Sequence, residues 1–212
     1  MSTLLRIDSS PLAEGASFSR QLTAEFVAQW EKTHPRGQVI HRDVAATALA
    51  PVDAEWIGAA YTPKANLTPR QHQVLGLSNE LIRELKTADE YVIGVAMHNF
   101  SIPGALKLWI DQVARVGETF SYESGVPSGL LKEKKATFLV ASGGVYDKGS
   151  PGFGMNFIEP YLKSLFSFMG VSETNFISAS GTGRQRLGVN RETILQPALA
   201  SIDQQFHATR VA

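Results

Sequence analysis

Short apolar runs alternate along the chain with longer stretches whose apolar side chains recur every three or four positions. Thr3–Ile7 is a β-like run, and in Ser17–Thr33 the side chains of Leu22, Phe26 and Trp30 stand four residues apart, on one face of a helix. Gln38–Arg42 reads as a second strand. Thr68-Pro69-Arg70-Gln71 is a capping box with proline at the first helical position, which predicts a helix from there to about Lys86. Glu90–Ala96 is β-branched and mostly apolar, suited to a strand buried on both faces. A helix is expected over about Gly104–Val116, a strand at Thr137–Ala141 and a fifth strand around Phe176–Ala179. A last helix runs from about Arg191 to His207, and Pro197 inside it predicts a kink or a later start.

Strands separated by helices form βαβ units, so the expected fold is α/β: a doubly wound, five-stranded parallel sheet with helices on both faces. No repeat, low-complexity tract or Pro/Ser linker divides the chain, and residues 1–212 read as a single domain. Ligands of such sheets sit beyond the carboxyl ends of the strands, where the strand order reverses. The loops Asp8–Ala16, Met97–Pro103 and Ser142–Phe153 each follow a predicted strand and are rich in Gly, Ser, Asn or Pro. The site is expected there.

Composition narrows the chemistry. Twenty basic and twenty acidic residues balance, so no net charge draws the chain to nucleic acid or an anionic membrane. The absence of cysteine excludes disulfides and thiol catalysis, and it is compatible with a reducing compartment. No stretch approaches the roughly 20 apolar residues of a membrane span. Arg6 and Asp8 interrupt the only apolar run near the start, so no secretory signal is expected and the location reads as cytoplasmic. The five histidines have no metal-ligand spacing, and no metal is expected.

Ala16-Ser17-Phe18-Ser19-Arg20 opens a predicted helix, and free N–H groups there, beside two hydroxyls, suit a phosphate monoester. A plain serine N-cap would account for the same residues. Neither a Walker loop nor a G-x-G-x-x-G fingerprint is present, so one phosphate suits the loop better than three. The second loop reads Met97-His98-Asn99-Phe100-Ser101-Ile102-Pro103. With it come Ile7-Asp8-Ser9-Ser10, the segment Ala105–Gly117, Thr119-Phe120-Ser121-Tyr122, Gly129-Leu130, Gly143-Gly144 and Phe168-Met169-Gly170-Val171. In order and spacing, over nearly its whole length, the chain resembles the FMN-dependent NAD(P)H azoreductases and their quinone-reductase relatives.

That resemblance implies a flavodoxin-like fold, one FMN per subunit, a homodimer, and electron transfer from NADH or NADPH to quinones and azo compounds by a ping-pong cycle. It implies that Ser10, Ser17, Phe18 and Ser19 hold the FMN phosphate. Met97, His98, Asn99 and Phe100 would lie along the isoalloxazine ring, and Ser142, Gly143 and Gly144 at its pyrimidine edge. Tyr122, Tyr146 and Phe168 would line the substrate pocket. The chain departs from the family pattern in three places. His98 replaces the usual Tyr, Ser-Phe-Ser replaces Ser-Gln-Ser in a phosphate loop one residue longer, and the fourth-strand loop reads Ala141-Ser142-Gly143-Gly144 where Ser-Arg-Gly-Gly is common, with Tyr146 where a His is expected.

His98 is a candidate proton donor to the acceptor, and equally a packing residue. Lys107, Asp111 and Arg115 recur every four residues and read as a solvated stripe, or by resemblance as part of a dimer contact. Three alternatives stand beside the main reading. One is a quinone reductase whose azo cleavage is incidental. Another is a non-catalytic FMN electron carrier, against which the neutral charge argues. The last is an esterase using Ser9 with Asp203 and His207, although Ile7 stands where such enzymes have Gly.

Overall fold

The computed structural model describes residues 1–123 and 125–211, with only the backbone of 208–211. In chain order the elements are β1 (Thr3–Asp8), α1 (Phe18–Thr33), β2 (Gln38–Asp43), α2 (Ala54–Ala60), α3 (Pro69–Val74), α4 (Gly76–Thr87) and β3 (Glu90–Ala96). There follow α5 (Gly104–Val113), β4 (Phe120–Ser121), β5 (Ser128–Gly129), β6 (Lys135–Ser142), α6 (Ile158–Met169), β7 (Glu173–Ser180) and α7 (Arg191–Val211). The five long strands are all parallel, in the order β2-β1-β3-β6-β7, and β4 pairs with β5 as a short antiparallel hairpin.

The two-residue period of a strand sorts the core into two layers. Leu5, Ile7, Ile93, Val95, Phe138 and Val140 pack with Leu81, Leu85, Trp109, Ile110, Leu162 and Phe166 of α4, α5 and α6. Leu4, Val92, Leu139, Ile177 and Ala179 face the other way, against Leu22, Phe26 and Trp30 of α1 and Leu195, Ala198 and Ile202 of α7. Central strands buried on both faces leave no polar side to alternate, which is why β3 reads as one apolar run.

Several elements depart from the sequence expectation. The helix opened by the Thr68 capping box breaks at Leu75, so α3 and α4 are separate. The helix from Gly104 ends at Val113, and Arg115 lies beyond it with its side chain buried. Arg115 therefore does not belong to the solvated stripe, where only Lys107 and Asp111 pair. Helix α7 starts at Arg191 and continues through Pro197. Pro197 is exposed, so water can take the carbonyl left without a donor. Helices α2 and α6 were not expected. Helix α6 ends at Gly170, φ 105°, where a Cβ on the facing Gly129 would lie 2.1 Å from the Gly170 nitrogen. Only glycine allows that approach of the hairpin to the helix end.

Candidate functional site

The strand order reverses between β1 and β3, and the loops that follow them converge there. Ser9, the first residue past β1, donates its hydroxyl to the carbonyl of Gly94 in β3 at 2.6 Å. The Ser10 carbonyl accepts from Arg20 Nε at 3.1 Å and Nη2 at 2.6 Å. Arg20 also holds Asp43 at the end of β2, with Nη1 2.7 Å from Oδ2. Burial pushes the Asp43 pKa up, but the Arg20 hydrogen bond and charge outweigh this and leave it below its ordinary value. One side chain thus ties the loop after β1 to the end of β2.

Ser17 caps α1: its Oγ accepts the Arg20 N–H at 3.3 Å and lies 3.3 Å from Ser19 Oγ. Ser10, Ser17 and Ser19 are 2%, 3% and 1% exposed. The Ser17 N–H donates to Ala13, whereas the N–H groups of Phe18 and Ser19 belong to a helical first turn, which offers them no internal acceptor. Close packing sets the position of this turn. A Cβ on Gly94 would meet Thr23 Cγ2 at 3.0 Å, Asp8 Oδ1 at 3.1 Å and the Ser19 carbonyl at 3.3 Å.

Behind the loop, Asp8 is wholly buried. It accepts from Thr23 Oγ1 at 2.7 Å, Arg6 Nε at 2.8 Å and His41 Nε2 at 2.8 Å.

In the second loop Met97 N–H donates to the Ala141 carbonyl at 2.8 Å and extends the β3–β6 ladder. His98 and Ser101 then exchange both backbone hydrogen bonds, with Asn99 at φ 49° and Phe100 at φ 70° between them. Positive φ at both central residues is the geometry of a type I′ turn. It leaves His98, Asn99 and Phe100 exposed over half-buried Met97. The Phe100 carbonyl accepts from Phe157 N–H at 3.2 Å, and its ring meets Tyr146 edge-on at 6.0 Å.

The third loop spends its carbonyls on the loop after β7. Gly143 and Gly144 accept from Gly183 at 3.0 Å and Gly181 at 2.8 Å, and Thr182 Oγ1 donates to the Ser142 carbonyl at 3.1 Å. Ser142 Oγ donates to Gly144 at 3.0 Å. Among the described residues the N–H groups of Gly143 and Gly144 have no partner. The space beside Gly143 is open, whereas Tyr146 covers Gly144 closely enough that a Cβ would meet its hydroxyl at 2.8 Å.

Residues 2–206 match a family model described as flavodoxin-like fold. The chain belongs to the flavodoxin-like family. It is 55% identical over 203 residues to an "FMN-dependent NADH:quinone oxidoreductase" of Acidobacterium capsulatum, covering 95% of this chain and 98% of the relative. A protein of Burkholderia lata, "FMN-dependent NADH:quinone oxidoreductase 3", is 44% identical over 181 residues, 85% of this chain and 87% of its own. Among solved structures, an azoreductase from Bacillus anthracis superposes with a TM-score of 0.85 at 25% identity, over 97% of this chain and 99% of the other. An FMN-dependent NADH-azoreductase of the same species, solved in complex with FMN, gives 0.85 at 24% identity over 99% of both chains and supports the fold.

Within the chain the flavodoxin-like sheet gathers Ser10, Ser17, Phe18, Ser19, Met97, His98, Asn99, Phe100, Ser142, Gly143, Gly144 and Tyr146 at its carboxyl end. It does not gather Tyr122 and Phe168. The Phe120 ring lies tilted against Phe168 at 4.6 Å and meets Tyr122 edge-on at 5.6 Å, in the hairpin packed on the last turn of α6. That turn leads into the start of β7, so the cluster lies at the amino end of the sheet, on the order of 25 Å of strand away.

Sequence reasoning missed Arg20, whose position three residues into a Ser-x-Ser helix start was the available signal. It also missed Phe157, which carried none. The esterase reading fails here: Ser9 is buried with its hydroxyl given to Gly94, and Asp203 and His207 form an exposed pair on α7.

Proposed function

We propose that this chain is an FMN-dependent oxidoreductase that takes electrons from NADH or NADPH and passes them to quinones, and to azo compounds as further acceptors. The observation that carries the reading is two separate sets of donors, backbone N–H groups prominent in each, at the carboxyl end of one sheet. The first turn of α1, with the buried hydroxyls of Ser10, Ser17 and Ser19, suits the phosphate of FMN. The free N–H groups of Gly143 and Gly144, beside open space, suit the carbonyl-rich edge of its ring. Met97 and Phe100 offer apolar contact between them, and Asn99 places an amide on the exposed turn.

Bound FMN supplies the two-electron chemistry, and the chain supplies binding, orientation and electrostatics. Donor and acceptor then use one pocket in turn, which makes the cycle ping-pong. Among the described residues His98 has no hydrogen-bonded side-chain partner, which leaves it free to protonate the acceptor. In that role His98→Gln slows the acceptor half of the cycle and spares the donor half.

NADH is the donor named for the relatives at 55% and 44% identity, and quinones are the acceptors named there. That favours a second reading, in which quinones are the physiological acceptors and azo cleavage is incidental. We further propose a homodimer. If Tyr122 and Phe168 wall the pocket, they reach it only from a second copy, because one subunit holds them at the far end of its sheet. We also propose a cytoplasmic location, with which the lack of cysteine is compatible, and no helix among the described residues is long and apolar enough to cross a membrane.

The test is the visible spectrum of the protein reconstituted with FMN, under anaerobic NADH. Bleaching by NADH and return of the absorbance with menadione or methyl red is the expected result, and the two rates rank the acceptors. Failure to bind FMN overturns the reading.

A further inference from the structure

Arg191 crosses from the start of α7 to the phosphate loop, 175 residues away in sequence. Its Nη1 donates to the Ala16 carbonyl at 3.3 Å, and its Nε to Gln21 Oε1 at 3.0 Å. Its guanidinium carbon lies 3.8 Å from the centre of the Phe18 ring. Its Nη2 is buried and has no partner among the described residues. The other cations beside this loop are neutralised: Arg6 by Asp8 and Glu14, and Arg20 by Asp43 with Asp8 nearby. Among the described residues Arg191 touches only neutral acceptors and an aromatic face.

The placement is unfavourable in isolation. A cation in the first turn of α7 opposes the positive end of that helix dipole, and the N-terminus of α1 lies across the same contact. Burial pulls the Arg191 pKa below its ordinary value, with no acidic neighbour to restore it. A guanidinium left without a counterion beside two helix N-termini creates positive potential with nothing among the described residues to balance it. Phe18, the residue that replaces the usual Gln, is the platform on which it rests.

We propose that Arg191, held on Phe18 and Ala16, supplies the uncompensated charge by which this loop selects a phosphomonoester, and so sets the preference for FMN over riboflavin. The inference rests on the FMN reading above and adds a residue outside the Ser-Phe-Ser motif to it. Charge acting at this range, partly shielded from solvent, is worth about a tenfold change in affinity for a dianion. A neutral isoalloxazine ring gains nothing from it.

The experiment titrates FMN and riboflavin separately into the apoprotein, wild type and the variants Arg191→Gln and Arg191→Lys, by isothermal calorimetry. The expected result is that Arg191→Gln narrows the gap between the two flavins about tenfold through FMN alone, while Arg191→Lys keeps most of the gap. Added potassium chloride narrows the gap in the wild type and changes it little in Arg191→Gln. An unchanged gap in Arg191→Gln overturns the inference. So does an equal loss for both flavins, which would mark a structural role, or an Arg191→Lys that behaves as Arg191→Gln. A wild-type protein that binds neither flavin overturns the FMN reading and this inference with it.

Discussion

His98 and Ser101 donate their amides to each other's carbonyls, at 2.9 and 3.0 Å, and this closure holds Asn99 and Phe100 in the left-handed region. Asparagine enters that region readily, whereas for phenylalanine it costs about 1 kcal/mol. The turn therefore stores strain at the tip of the loop. Phe100→Gly releases that strain but removes an exposed apolar surface, so its effects on the two states have opposite signs. Urea unfolding of the apoprotein is expected to show a gain of about 1 kcal/mol or no loss. FMN titration is expected to show weaker binding. A loss of apoprotein stability beyond about 1 kcal/mol would mean that the Tyr146 contact, not backbone strain, dominates at Phe100.

Gly94 makes a complementary prediction on the opposite wall of the loop. A methyl group there presses on Thr23, Asp8 and the Ser19 carbonyl together, and all three lie on elements locked by hydrogen bonds. Gly94→Ala is expected to cost about 1–3 kcal/mol. It should also weaken FMN binding, because relief requires α1 to move away and carry Ser19 with it. Thermal melts with and without FMN separate the two effects. An alanine variant of native stability would show that α1 yields freely.

The centre of the sheet was legible in the sequence because β1, β3 and β6 are buried on both faces. A run such as Glu90–Ala96 has no polar alternation to blur its ends, and its predicted bounds match β3. Helix α1 was legible because Leu22, Phe26 and Trp30 all face one layer. Helix α6 carried a usable pattern in Ile158, Leu162, Phe166 and Met169, but Pro160 within its first turn disguised the start. Arg115 was misread because a four-residue repeat continues in sequence after the helix has stopped. The three loops proposed to hold flavin were singled out by their position after strands and by resemblance, and the structure brings them to one end of the sheet. The partners within their ties, Ser10 for Arg20 and Gly94 for Ser9, depend on a tertiary approach that local sequence does not specify.

Glu118 yields the pH-dependent prediction. It lies 2.5 Å from Lys86, 3.0 Å from Lys64 and 3.3 Å from buried Arg115. Burial pushes its pKa up, but hydrogen bonds from Lys86 and Lys64 and their charges prevail and bring it from 4.5 down to about 2. A folded pKa below the unfolded one gives stability that is present above pH 4.5 and lost as the pH falls towards about 2. Glu118→Gln is expected to cost about 1 kcal/mol at pH 7. The difference from wild type should close between pH 4.5 and 2 in urea melts across that range. A difference that persists unchanged at the acid end would assign it to packing.

The separation of Tyr122 from the loops proposed to hold flavin makes the proposed homodimer testable through activity. Consider one chain with Ser17→Ala and Ser19→Ala, unable to hold FMN, and a second with Tyr122→Ala, able to hold FMN but lacking the aromatic wall. Each alone is expected to be poor at quinone reduction. If the pocket takes its tyrosine from the opposite subunit, a mixed dimer restores one native site, formed by the flavin of the second chain and the Tyr122 of the first. Random pairing of equal amounts should then give about a quarter of the native sites of wild type. Activity should appear on co-expression, where dimers form together, and should be slower to appear when purified proteins are mixed. A co-expressed sample no better than the average of its two parents would mean that Tyr122 does not complete a partner's site, and its aromatic cluster would then serve the packing of the hairpin against α6.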